Sequence, residues 1–221
     1  MQKFDTTAPI AAVLDIPAGR IRFIAADRAD TTVEVLPADP SNARDTKAAE
    51  QTTVEYVDGV LRIGAAPAKN KFLGNSGSVE VTVQLPADSR IEAKAAAAEL
   101  RGVGRLGDVT FEVAQGTVKL DEAASARLTL AAGNVSIGRL AGPAEITTQK
   151  GDLAITEAIR GTLKLRTEYG QISVAAARGT SATLDAGTAY GRIHNALTNT
   201  ETPTLNIHAT TAYGDITART L

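Results

Sequence analysis

Gly116-Thr-Val-Lys-Leu120 returns as Gly133-Asn-Val-Ser-Ile137, Gly151-Asp-Leu-Ala-Ile155, Gly170-Gln-Ile-Ser-Val174, Gly191-Arg-Ile-His-Asn195 and Gly214-Asp-Ile-Thr-Ala218, and this recurrence decides the fold. The glycines stand 17, 18, 19, 21 and 23 residues apart. A window from seven residues before each Gly to four after it aligns without a gap, and alternate positions in it form apolar columns. Two residues after the Gly the column reads Val118, Val135, Leu153, Ile172, Ile193 and Ile216. Five before it stand Phe111, Leu128, Ile146, Leu165, Ala186 and Ala209, and seven before it Val109, Ala126, Ala144, Leu163, Leu184 and Ile207. A period of two means short strands with one buried face, meeting at a Gly where the bend needs positive φ or a missing Cβ.

One such strand, corner and strand cannot bury its inner face alone, so the units must stack, like residue over like. The expected fold is therefore all-β. It is a right-handed-solenoid-like stack, a single-stranded β-helix of two-strand coils, with a more sheet-like N-terminal third. All length variation falls in the return loop from one coil to the next, because an insertion inside a strand would turn its side chains to the wrong face. Taken in sequence order, the coils would place each new repeat on top of the last.

Upstream the template weakens. Ala12, Leu14, Ile16, Gly19, Ile21 and Phe23 fit it, as do Val54, Tyr56, Gly59, Leu61 and Ile63; Ile91, Ala93, Ala95, Ala98 and Leu100 fit with Ala98 in the Gly position. Thr32–Leu36 and Ser78–Leu85 alternate and are followed by Pro-Ala-Asp, which reads as strand then turn. Two polar stretches, Asp39–Gln51 and Gly64–Gly77, read as loops, the first with a helical turn around Arg44–Ala49. No linker interrupts the chain. It is expected to be one domain over 1–221, with irregular opening strands in 1–90 and regular coils in 91–221.

Composition narrows the function classes. A formal net charge of -2, from 23 basic and 25 acidic residues, supplies no field for nucleic acid or an anionic membrane surface. The absence of Cys removes thiolate chemistry and disulfides together. Met1–Pro17 carries a single Lys and is broken by Asp5, Asp15 and two prolines, so it reads as neither a signal peptide nor a membrane span. The expectation is a cytoplasmic chain. With 19 Gly, 4 Phe and no Trp, the core must be filled by Val, Ile, Leu and Ala, which suits narrow regular layers.

The recurring Gly-Asp/Asn-Val/Ile pattern resembles the bacterial "putative adhesin" family of unknown function, also described as a toastrack β-repeat domain. Pro17-Ala-Gly-Arg-Ile21, Leu85-Pro-Ala-Asp-Ser89 and Thr211-Ala-Tyr-Gly214 carry the likeness further. It spans essentially the whole chain. It implies a β-repeat fold and a link to cell-envelope stress and lipid-sensing systems, in which some members are fused to transmembrane segments. It supplies no catalytic residues.

Outward columns are free for function. Just before the Gly stand Gln115, Ala132, Lys150, Tyr169, Tyr190 and Tyr213; the three tyrosines with Lys150 form a candidate strip for a protein, glycan or small-molecule partner. Ring contacts between neighbouring coils would account for the same column without any ligand. Lys69 and Lys71, beside Phe72 and Leu73 in the second polar stretch, are a second candidate. Six before the Gly, Arg127, Glu145, Lys164, Asp185 and His208 alternate in sign coil by coil and read as a structural charge ladder. Three before it, Thr148, Thr167, Thr188 and Thr211 read as a hydroxyl ladder satisfied along the stack.

His194 and His208 fall in different columns, so neither a metal site nor a cofactor is expected, and no nucleophile, base and orienting group share a column. The chain is expected to be a non-catalytic binding or assembly scaffold. The alternative is a small-molecule or glycan binder using the tyrosine corner or widening C-terminal coils. The sequence ends just after a repeat with no capping element, so homo-oligomerisation through an uncovered end is expected.

Overall fold

The structure is a computed structural model that describes residues 1–65, 77–200 and 202–221. The opening elements are β1 (Gln2–Asp5), β2 (Ala11–Ala26), β3 (Asp30–Pro37), α1 (Ala43–Gln51), β4 (Thr52–Val57), β5 (Val60–Ala65) and β6 (Val79–Pro86). The repeats follow as β7 (Arg90–Gln115), β8 (Val118–Ala132), β9 (Val135–Leu140), β10 (Ala144–Lys150), β11 (Leu153–Ala158), β12 (Gly161–Arg166), β13 (Ile172–Ala176), β14 (Ala182–Tyr190), β15 (Ile193–Ala196), β16 (Leu205–Tyr213) and β17 (Ile216–Thr220). All belong to one sheet that folds into two walls, the strands before each Gly forming the first wall and those after it the second. This is the all-β solenoid-like stack that the columns predict.

The core is those columns. Val118, Val135, Leu153, Ile172 and Ile216 are buried on the second wall, facing Phe111, Leu128, Ile146, Leu165 and Ala209 on the first. The corner glycines are set by close approach as well as by torsion. A Cβ on Gly133 would overlap the carbonyl of Gly116, and the same clash runs from Gly151 to Gly133 and from Gly170 to Gly151.

The order of the layers departs from the order of the sequence. β12 pairs not with β14 but with β16, and β16 then pairs with β14. On the second wall β13 pairs with β17, and β17 with β15. The last coil in sequence, around Gly214, therefore lies between the coils of Gly170 and Gly191. The corner repeats this order, since a Cβ on Gly214 would meet the Gly170 carbonyl and one on Gly191 the Gly214 carbonyl. From Gly170 to Gly191 the chain must climb two strand spacings, about 10 Å, and from Gly191 to Gly214 it steps back one, and these are the two longest periods, 21 and 23 residues.

Ile193 is consequently 46% exposed: its coil ends the stack and nothing covers it among the described residues. The uncovered coil is Ala182–Ala196, rather than the one that ends the sequence.

The opposite end has a matching inversion. β2, first among the coil strands, pairs in parallel with β7 on one side and with β5 and β6 on the other. Antiparallel strands then extend both walls, with β3 on β6, β1 on β3, and β4 on β5. This is the sheet-like opening third. Gly59 is not a coil corner: Asp58 and Gly59 have φ of 50° and 78° and turn a β4–β5 hairpin, whose alternation imitates the coil template. The helical turn is α1, capped by the Asn42 side chain, which accepts from the Arg44 N–H. The α1 residue Asp45 is buried and accepts from the backbone N–H groups of Asp39 and Ser78, tying the helix to the strand ends.

Candidate functional site

Each corner strand ends at the residue before Gly, and the parallel ladder places those residues one above another. Lys150 pairs with Tyr169, Tyr169 with Tyr213, and Tyr213 with Tyr190. The rings lie flat against each other. Tyr169 and Tyr213 have centroids 5.0 Å apart at 1°, and Tyr213 and Tyr190 4.8 Å apart at 5°. These separations match the spacing of hydrogen-bonded strands, so the backbone sets the stack. The layer inversion makes Tyr213 the middle ring.

The side chains remain accessible, at 54% for Tyr169, 47% for Tyr213 and 67% for Tyr190. What they offer is mainly ring edges and phenolic hydroxyls. Both faces of Tyr213 are covered by its neighbours; the outer face of Tyr190, at the uncovered coil, meets no ring among the described residues. Lys150 and the three tyrosines are thus brought together in one strip. Lys69 and Lys71 lie outside the described residues.

The corner is rigid because its polar groups are paired. Thr167 donates to the Gly151 carbonyl (3.0 Å), Thr211 to Gly170 (3.1 Å) and Thr188 to Gly214 (3.1 Å), which is the hydroxyl ladder expected. Thr148 instead donates to the Lys150 carbonyl (3.3 Å). A second ladder, not read from the sequence, lies just after the Gly. The Asn134 side chain accepts from the N–H of Asp152 (2.9 Å), Asp152 from that of Gln171 (2.8 Å), and Asp215 from that of Arg192 (2.8 Å). The signal was the Gly-Asn and Gly-Asp pairs themselves, since a short acceptor at this point reaches one layer onward.

The outward charge ladder is reordered with the layers. Arg127 and Glu145 pair at 3.5 Å, but Lys164 lies beside His208, and Asp185 lies beyond it. His208 Nδ1 and Asp185 Oδ2 are 3.2 Å apart on the open wall. Strict alternation of sign by coil is therefore broken at Lys164 and His208.

Among the described residues no group of three His, Asp or Glu side chains converges. The carboxylates with perturbed acidity lie away from the strip. Asp30 is lowered to about 2 by hydrogen bonds from Arg28 and Lys3. Arg105 grips Asp88 through two bonds of 2.7 and 2.9 Å and holds its pKa below the usual carboxylate range.

A groove of about 650 Å³ runs across the coils that hold Ile16, Lys94, Glu112, Leu130 and Gln149. A further groove of about 500 Å³ lies on the C-terminal coils, lined by Arg192, Ile193, His194, Asp215 and Thr217. No described helix is long and apolar enough to cross a membrane.

The geometry defines an all-β protein of stacked parallel coils with an aromatic corner. The chain belongs to the Toastrack DUF4097 family, whose match covers residues 13–220. It is similar to the solved structure of a "putative adhesin" from Bacteroides fragilis, at 13% identity and TM-score 0.44 over 98% of this chain and 95% of that one. It is similar also to a "putative adhesin" from Parabacteroides distasonis, at 15% identity and TM-score 0.41 over 100% of this chain and 95% of that one. A third, a "putative cell adhesion protein" from Clostridium sporogenes, has 12% identity and TM-score 0.35 over 100% of this chain and 98% of that one. Comparison with curated proteins gives no match.

Proposed function

We propose that the chain is a non-catalytic binding scaffold, adhesin-like, that presents the Tyr169–Tyr213–Tyr190 strip with Lys150 to a protein partner; membership of the family adds a link to cell-envelope processes. The observation that carries this reading is the strip itself: three rings held parallel by the backbone and about half exposed. Rings already fixed in place lose little conformational freedom on binding, and a row of hydroxyls and ring edges suits the polar and apolar edge of a polypeptide. The same stacking hides the ring faces on which sugars usually lie. A glycan reading is favoured only by the outer face of Tyr190.

Replacing all three tyrosines with Phe keeps the stack and removes the hydroxyls. Affinity capture with the purified chain should lose its specific protein partner in this variant while the melting temperature holds. Retention of every captured partner by the triple variant rejects the strip as the binding surface. Binding to a glycan that is lost in Y190A but kept in the triple Phe variant would select the second reading.

A further inference from the structure

The two ends of the stack are built differently. At the β1–β4 end the walls finish in short antiparallel strands that carry Lys3, Asp5 and Glu55, and Phe4 from β1 packs on Tyr56 from β4 (centroids 5.4 Å, 41°), closing the gap between the walls. Short charged edges resist further pairing. At the other end β14 pairs as a strand only with β16 and β15 only with β17, and of the outer edge of β14 the Ala182 N–H is taken by the Thr198 carbonyl (3.0 Å), so both walls end in strands whose outer side is largely unpaired among the described residues. Among the described residues no aromatic lid covers the core between them: Leu197 packs against it, but Ile193 is 46% exposed, Leu184 half-buried, and every residue of β15 exposed.

We infer that this end takes a second copy of the chain, end to end, through β14 and β15 of each. What is open is two strand edges joined at a Gly corner with a core column between them. A single extended peptide can pair with one edge and leaves Ile193 uncovered. A coil of this same repeat covers both edges and the column at once, and the second copy carries one. Because the other end is closed, the contact must be the same surface on both copies, related by a two-fold axis. With that axis perpendicular to the strands as well as to the stack, each open edge meets its own copy antiparallel, and assembly stops at the dimer.

The nine residues of β14 span about 30 Å, and two walls about 10 Å apart with their outward side chains make an end face of the order of 600 Å² per copy. The pair then covers about 1,200 Å², at the lower limit of specific interfaces, so the dimer should form reversibly with concentration.

The lack of cysteine allows a direct test. H194C, at the open end, should be joined into a covalent dimer by a short bis-maleimide, and E55C, at the closed end, should not. Sedimentation of the unmodified chain should show a monomer–dimer equilibrium. I193K, on a coil that is already exposed, should weaken it by about tenfold or more with unchanged circular dichroism and melting. H194C crosslinking combined with an I193K variant that melts early still supports the contact. A chain that stays monomeric at the highest soluble concentration, or equal crosslinking at both ends, overturns it. So does capture of the open end by another protein with no self-association.

Discussion

Gly133 and Gly187 show what a glycine does in this chain and what it does not. At Gly133 an added Cβ meets a backbone carbonyl and φ is 139°, so G133A must push two coils apart. We expect it to lower unfolding free energy by about 2–3 kcal/mol in urea titration. At Gly187 nothing lies within 4 Å, and G187A should be neutral or stabilising by up to about 1 kcal/mol. Equal effects of the two would mean that the corner does not depend on close approach. The corner Gly was legible because it recurs; the threonine three residues before it was legible as a column, though not the carbonyl it serves. T167V removes a buried donor to Gly151 and should cost about 1–3 kcal/mol.

Asp30 makes a different prediction. Its pKa in the folded chain is lowered to about 2, first by Arg28 and then by Lys3. The unfolded chain binds the proton at higher pH, so this contribution is complete above about pH 4 and fades as pH falls toward 2. D30N should flatten the acid limb of stability over that window and leave the slope near neutrality unchanged. An unaltered acid limb would mean the pair with Arg28 does not persist in solution.

Among the elements, the tyrosine strip separates the sequence order from the spatial one. If the coils followed the sequence, Tyr190 would be the middle ring. In the structure it is Tyr213, which stacks on both others. Each stacked pair contributes about 0.5–1.5 kcal/mol beyond burial, so Y213A should destabilise by roughly twice as much as Y190A in thermal or chemical denaturation. A larger loss in Y190A would restore the sequential order. The hairpin β4–β5 shows the complementary failure. Its apolar alternation and Gly59 satisfy the coil template, because an antiparallel hairpin and a parallel coil share the period of two. Asp58-Gly59 was the distinguishing signal, since that dipeptide suits a two-residue turn with positive φ at both positions.

Over the whole molecule, the columns were legible because every coil must place apolar residues at the same inward positions to be covered by its neighbours. The same property concealed the layer order: a coil that fits one slot fits any slot. Two features mark the order. The period rises to 21 residues where the chain passes over a layer and to 23 where it steps back, and Asp215 accepts from the N–H of Arg192, as Asn134 and Asp152 do from the layer beyond each of them. The strip was legible as a column of tyrosines, whereas its face-to-face packing follows from the strand spacing and could be read only from coordinates. Both inversions place β2 and the Gly214 coil inside the stack, where neighbours on both sides pair with them.

The layer order is tested most directly by disulfide formation between outward positions of one column in this cysteine-free chain. Lys164 and His208 are ladder partners, as are His208 and Asp185, which leaves Lys164 and Asp185 two layers apart. Adjacent strands lie about 4.8 Å apart, within disulfide reach, and alternate strands about 10 Å apart, beyond it. Under mild oxidation the K164C/H208C variant should form an intramolecular disulfide and K164C/D185C should remain reduced. A disulfide in K164C/D185C with none in K164C/H208C would contradict the inverted stack.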